Sequence, residues 1–358
     1  MRILLAPLDW GLGHATRCMP LIDPLQEQGA EVILGCAGRA GALLRREYPD
    51  LPYVDLPAYR IRYGNPSLVM SMAAQLPRML VTLRREHLVL GELVRRHHIH
   101  GVISDNRYGL YHRKVSTVLI THQLHPRIPV PLVDPIVQAV LGHWIRRYDA
   151  CWIPDHAGDD SLAGALAHPP RHPQTTFLGP LSRFEAVGAG PSFRYDILCL
   201  LSGPEPQRSY LERILRPQLI DSGLRGLMVL GKPESDVSER QGNLEVRSHL
   251  LAGPLQRAMR ESRLVLCRPG YSTLMDLQAL GKRAVLIPTP GQTEQEYLAR
   301  RLHVRGTCYS QAQAGFSLST ALSAAADFAG FSPPGPGSRD QLGAVLGGWL
   351  KEVADTIN

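Results

Sequence analysis

Short, wholly apolar runs alternate along this chain with longer segments whose apolar residues recur every three or four positions. "RILLAP" precedes the helix-like "ATRCMPLIDPLQEQG", "EVILGCA" precedes "RAGALLRREYP", and "GVISD", "STVLITHQ" and "DACWIP" follow. Apolar runs of roughly four to eight residues without alternation are the pattern of strands buried on both faces, with helices as the cover. The pattern restarts after the Gly/Pro-rich "FLGPLSRFEAVGAGPS" at 177–192. There "YDILCLLSG", "LRGLMVLG", "SRLVLCRPG" and "RAVLIPTP" read as strands, and "QRSYLERILRPQLIDSG" and "STLMDLQALG" as helices. The pattern predicts an α/β protein of two doubly wound, Rossmann-like domains, 1–180 and 181–358, facing a central cleft. A second Gly/Pro stretch, "FAGFSPPGPGS", precedes a last amphipathic segment, "RDQLGAVLGGWLKEVADTIN", which is free to pack back on the first domain. Ligands of such sheets bind beyond the carboxyl ends of the strands, so the strand exits are where chemistry is expected.

Composition narrows the partners. The 358 residues suit about two domains, and 44% hydrophobic with 20% charged residues is an ordinary globular mixture. A net charge of +7 favours anionic partners. The basic residues are scattered, and no basic stripe with interleaved aromatics points to nucleic acid. Six cysteines without a C-x-x-C pair read as buried thiols of a reducing compartment, and no Cys/His spacing suits zinc. The N-terminal apolar run is too short for a signal sequence, and no run of roughly 18 apolar residues is present. A cytoplasmic protein is expected.

The most specific stretch is "LVLCRPGYSTLMDLQALGKRAVLIPTPGQTEQEYLARRL" at 264–302. A strand ends at "CRPG", where Gly270 lets a ligand approach the backbone and Arg268 is a candidate phosphate counter-charge. Ser272 and Thr273 open a helix whose free N–H groups and hydroxyls suit phosphate. Asp276, one turn on, suits a ribose diol. The next strand exit brings Gln292, Gln295 and Glu296 to the same end of the sheet. These residues resemble the donor-binding region of GT-B glycosyltransferases. The resemblance is greatest to the bacterial family of the enzyme that adds GlcNAc to the peptidoglycan lipid intermediate (glycosyltransferase family 28, C-terminal type). Gly270, Thr273, Gly281, Pro288 and Gln295 match that family's motifs. Arg283 stands where the family has Pro, Asp276 replaces a ribose-binding Glu, and Glu296 replaces a second Gln that touches the sugar. In the same family the loop corresponding to "LLSGPEPQRS" touches the donor phosphates, which implicates Ser202 and Gly203, although two prolines depart from the glycine-rich version.

"GLGHATR" near the N-terminus is not a dinucleotide fingerprint, because Thr16 occupies the third glycine position and no acidic residue ends the next strand. The resemblance instead implies an acceptor-side turn, Gly11 and Gly13, presenting His14 as general base. Asp105, at the end of "GVISD", is the candidate that orients it. His122 and Gln123 resemble the family's acceptor element, with Gln123 in place of Glu. No D-x-D metal motif is present, and helix N-termini with basic groups are expected to neutralise the leaving diphosphate. The mixed apolar and basic segment 66–98 suits either a membrane surface presenting a lipid-linked acceptor or an amphipathic helix with a solvated face. The expectation is an inverting, metal-independent glycosyltransferase using a nucleotide sugar, UDP-linked, without a cofactor. A UDP-sugar 2-epimerase on the same frame and a non-catalytic nucleotide-sugar binder remain as alternatives.

Overall fold

The computed structural model describes residues 1–61, 68–128, 130, 132–185, 192–335 and 338–357, and their side chains except those of 68–74 and 338–339. Along the chain come β1 (Arg2–Pro7), α1 (Leu12–Cys18), α2 (Ile22–Glu27), β2 (Glu31–Cys36), α3 (Gly38–Glu47), β3 (Tyr53–Asp55), α4 (Leu68–His97), β4 (Gly101–Asp105), β5 (Ser116–Ile120), α5 (Asp134–Ile145), β6 (Ala150–Ile153) and β7 (Thr175–Phe177). They are followed by β8 (Tyr195–Leu200), α6 (Gln207–Asp221), β9 (Gly226–Val229), β10 (Ser238–Gln241), β11 (Leu244–Arg247), α7 (Ala252–Arg260), β12 (Ser262–Cys267), α8 (Tyr271–Ala279), β13 (Ala284–Leu286), α9 (Thr293–Val304), β14 (Tyr309–Ser310), α10 (Leu318–Ala325) and α11 (Ser338–Asp355).

Two compact units result, Met1–Leu181 with Gly335–Asn358, and Ser182–Pro334. The sheet of the first unit has the order β3-β2-β1-β4-β5-β6-β7, all parallel. Its central strands are apolar on both faces because α-helices cover both, as the unalternating "ILLA" and "VIS" runs require. The sheet of the second unit has the order β10-β11-β9-β8-β12-β13-β14, parallel except for the β10–β11 hairpin at its edge. One of its faces buries Ile197, Cys199, Met228, Leu264, Leu266 and Val285 beneath Leu211 and Leu215 of α6 and Ala321 of α10.

The segment 15–29 is not one helix. Pro20 and Pro24 lack the N–H that an α-helix needs, and a 3-10 turn at Met19–Leu21 separates α1 from α2. α11, which lies in the sequence range expected for the second domain, packs in the first unit. Trp349 donates from Nε1 to Ser116 Oγ at 2.9 Å and meets Trp152 edge to face at 5.6 Å. A Cβ on Gly101 would lie 2.8 Å from the Trp349 ring, so this docking requires glycine there. Among the described residues no helix is long and apolar enough to cross a membrane. Residues 66–67 of the amphipathic segment expected over 66–98, and 186–191 of the linker expected over 177–192, lie outside the described residues.

Candidate active site

In the first unit β1, β4 and β5 lie side by side with their carboxyl ends level. Pro7 pairs with Asp105, and Asp105 with Ile120. This register delivers Asp105 and, two residues beyond β5, His122 to the exit of β1. Gly11 has φ 94°, a left-handed conformation that only glycine adopts without strain, and it turns the chain into α1 with Gly13 and His14 in the first turn. His14 Nδ1 then lies 2.8 Å from Asp105 Oδ2. Asp105 is fully buried, whereas the His14 side chain retains 17% exposure.

Arg17, one turn beyond His14, joins the group. Its Nε donates to Asp105 Oδ1 at 2.7 Å, and its Nη1 lies 3.0 Å from His122 Nδ1. Burial opposes ionisation of Asp105, but the Arg17 guanidinium and His14 override it and hold the carboxyl below its usual range. Burial and the nearby Arg17 charge push the His14 pKa below its ordinary value, against the pull of Asp105. The imidazole is therefore neutral at neutral pH, the state a proton acceptor requires. Gln123 is half-buried, and its backbone N–H donates to Thr121 Oγ1 at 3.1 Å.

In the second unit β12 and β13 also end level, Cys267 beside Leu286, so the start of α8 and the loop before α9 share one end of the sheet. Gly270 caps α8 in an extended conformation, and the first turn contains no acidic residue. Ser272 and Thr273 stand half-buried in that turn. The start of α6 is different. Gly203 takes φ 95° after β8 and Ser202, but Glu205 then places its carboxylate on the helix start, accepting from Ser209 N at 3.2 Å and from Arg208 Nη2 at 2.7 Å. That end already holds an anion of its own.

Four expected ligand residues are engaged within the unit. Asp276 is buried. It accepts from Ser182 Oγ at 2.7 Å and lies 3.6 Å from Arg183 Nε, and burial raises its pKa against the opposing Arg183 charge. Gln295 Oε1 accepts from Thr289 N at 2.8 Å and Glu296 Oε1 from Gly291 N at 2.8 Å, so both shape the loop that also holds Gln292. Arg268, expected as a phosphate counter-charge, is engaged as well. Its guanidinium is fully buried and donates to the carbonyls of Ile287 and Pro288 at 2.9 Å, to the carbonyl of Gln207 at 3.2 Å, and to Gln313 Oε1. It braces the strand exits.

Arg17, Ser182 and Arg183 escaped the sequence reading. The spacing of Arg17 from His14 (i, i+3) was the available signal. Nothing in "PLSRF" marks Ser182 or Arg183. Among the described residues no cluster of three His, Cys, Asp or Glu side chains suits a metal ion.

Residues 234–328 match the glycosyltransferase family 28 C-terminal domain. An uncharacterized glycosyltransferase of Methanosarcina acetivorans is 26% identical over 328 residues, covering 86% of this chain and 82% of the relative. Another, from Methanosarcina mazei, is 22% identical over 327 residues, with 86% and 84% covered. Among solved structures, the spinosyn rhamnosyltransferase SpnG complexed with thymidine diphosphate has a TM-score of 0.63 at 16% identity, covering 99% of this chain and 100% of that one. MurG of Acinetobacter baumannii has a TM-score of 0.55 at 14% identity, with 96% and 98% covered.

Proposed function

Residues 234–328 belong to the glycosyltransferase family 28 C-terminal domain and the whole chain has the GT-B fold, and from that premise we propose that the protein is an inverting glycosyltransferase using a UDP-sugar. The observation that carries this is the pairing of partly exposed His14 with fully buried Asp105 at 2.8 Å, at the exit of adjoining strands. A neutral imidazole held by a buried carboxylate is a general base. It takes the proton of an acceptor hydroxyl at Nε2 while that oxygen forms a bond to the anomeric carbon. The bond from that carbon to the diphosphate breaks on the opposite face, and its electron pair leaves with the phosphate oxygen. Asp105 steadies the resulting imidazolium.

The second unit receives the donor. The start of α8, where Gly270 supplies no side-chain cap, offers N–H groups and the hydroxyls of Ser272 and Thr273 to the diphosphate, and Arg183 supplies a cation beside it. The leaving charge is thus met without a metal. Asp276 meets the ribose, and the loop shaped by Gln295 and Glu296 meets the sugar. The thymidine diphosphate in the SpnG complex supports a pyrimidine nucleotide.

The acceptor is lipid-linked. α4 exposes Leu76, Leu80, Val81 and Leu88 among the exposed Arg78, Arg84 and Arg85, and Ile136 and Val140 of α5 are exposed as well. Apolar side chains interspersed with arginines suit the surface of an anionic membrane.

Incubating the full chain with UDP- and dTDP-sugars and a panel of polyprenyl and lipid acceptors tests this. Release of UDP with a product of inverted anomeric configuration is expected. Isomerised UDP-sugar formed without acceptor would instead identify an epimerase.

A further inference from the structure

The Arg17 guanidinium, 2% exposed, touches both histidines and the carboxylate between them. Its Nε donates to Asp105 Oδ1 at 2.7 Å, its Nη1 lies 3.0 Å from His122 Nδ1, and its Nη2 lies 2.7 Å from His14 Nδ1. Guanidinium is a donor only and stays charged at every pH of interest. His122 Nδ1 therefore turns a lone pair to Arg17, and the ring proton of neutral His122 is on Nε2.

His14 Nδ1 faces a donor and an acceptor together: Arg17 Nη2, and Asp105 Oδ2 at 2.8 Å. The two can be weighed. If Nδ1 kept its lone pair, the buried, ionised Oδ2 would face another lone pair. An unsatisfied buried charged oxygen costs upwards of about 1–3 kcal/mol. If Nδ1 carries the proton, Nη2 loses one partner but still has Asp105 Oδ1 at 2.5 Å. The carboxylate decides, and the His14 proton is on Nδ1.

We propose that Arg17 is a positioning residue that fixes His122 with an Nε2 proton as hydrogen-bond donor, the opposite tautomer to His14, which Asp105 holds with its Nε2 lone pair outward as proton acceptor. The arrangement allots one task to each ring. The acceptor's proton can go to His14 and cannot go to His122 Nε2. Only the catalytic consequence rests on His14 being the base; the tautomers themselves do not. The charged or titratable groups around His14 are Arg17 on its own helix, Asp105 on β4 and His122 beyond β5. Cys18 and Tyr108, which also feel Asp105, are kept neutral by burial.

Histidine side-chain NMR on the 15N-labelled full chain tests this directly. The wild type is expected to show His14 as the Nδ1–H tautomer and His122 as the Nε2–H tautomer. In Arg17→Met, His122 is expected to become a tautomer mixture, and the acid limb of kcat/KM to move up by about one pH unit as the repelling charge is lost. Arg17→Lys keeps the charge but not the fork, so the limb stays while the His122 tautomer is lost. An Nε2–H tautomer at His14 in the wild type overturns the proposal, as do unchanged His122 signals in both variants. Should Arg17→Met fail to fold, the wild-type spectrum and Arg17→Lys still decide. Full turnover by His14→Ala would refute the base assignment alone and leave the tautomer result standing.

Discussion

Arg107 Nη1 donates to Glu86 Oε1 at 2.6 Å, and neither side chain is exposed to solvent. Tyr59 OH and Gly109 N also donate to Glu86, and Arg107 Nε donates to Pro7 O at 2.8 Å. The pair thus ties α4 and the segment after β3 to the end of β1, just before the turn that carries His14. Burial pushes the Glu86 carboxyl up, and Arg107 opposes that shift. Removing one partner strands the other charge in the core, at a cost of about 3–5 kcal/mol. Glu86→Ala and Arg107→Ala should each lower the melting temperature steeply, and Glu86→Leu with Arg107→Met together should cost less than either. Calorimetry that finds the two single losses simply additive would refute the coupling.

His14→Ala should lower kcat by about 10²–10⁴ and, by leaving the buried Asp105 Oδ2 without its partner, should also lower the melting temperature. The sign of the pH effect follows from the lowered His14 pKa. Activity needs the neutral ring, so kcat/KM should hold its plateau to below pH 6.5 and decline only as the pH falls further. Asp105 stays ionised throughout, because its own pKa is also lowered. A wild-type profile already falling at pH 7.5 would contradict the assignment.

Asp276 and Arg183 should separate nucleoside from diphosphate recognition. Arg183→Ala should weaken UDP more than uridine, because only UDP carries the charge that Arg183 meets. Asp276→Ala should weaken both, by roughly tenfold or more for a lost hydrogen bond to a charged group. Isothermal titration with the two ligands reads the difference. Equal losses of UDP and uridine affinity in Arg183→Ala would place Arg183 away from the diphosphate.

Lys282 is buried, with Nζ 2.5 Å from Ser262 O, and burial lowers its pKa to about 8. Between that value and the unfolded one near 10.5, the unfolded chain binds more protons than the fold. Stability should therefore rise with pH across that window. Relative to Lys282→Met, the wild type should gain melting temperature between pH 8 and 10. Parallel curves would show that the ammonium is not penalised by the fold.

How much was legible depended on whether the signal was local. The buried strands announced themselves, because a run such as "LVLC" has one interpretation in a doubly wound sheet. β10 did not, since all four of its residues are exposed and its pairing with β11 comes from the turn at Gly242 rather than from an apolar stripe. The meeting of His14 with Asp105 and His122 was readable because these residues stand at or just beyond the exits of adjoining strands. The burial of Arg17 was not, because the carboxylate that receives it lies 88 residues away in sequence. The contacts of Arg268 were not legible for a similar reason. Its direction is set by carbonyls 19 and 20 residues ahead and by Gln313, 45 residues ahead.

The return of α11 to the first unit has a covalent consequence. The second unit is one uninterrupted piece, Ser182–Pro334, while the first is made of two pieces. Two peptide connections, not one, therefore join them. A single proteolytic nick at either connection leaves the halves on one thread, and only a double cut frees the inserted piece. The second unit is thus encoded by one continuous gene segment, whereas that of the first is interrupted by it.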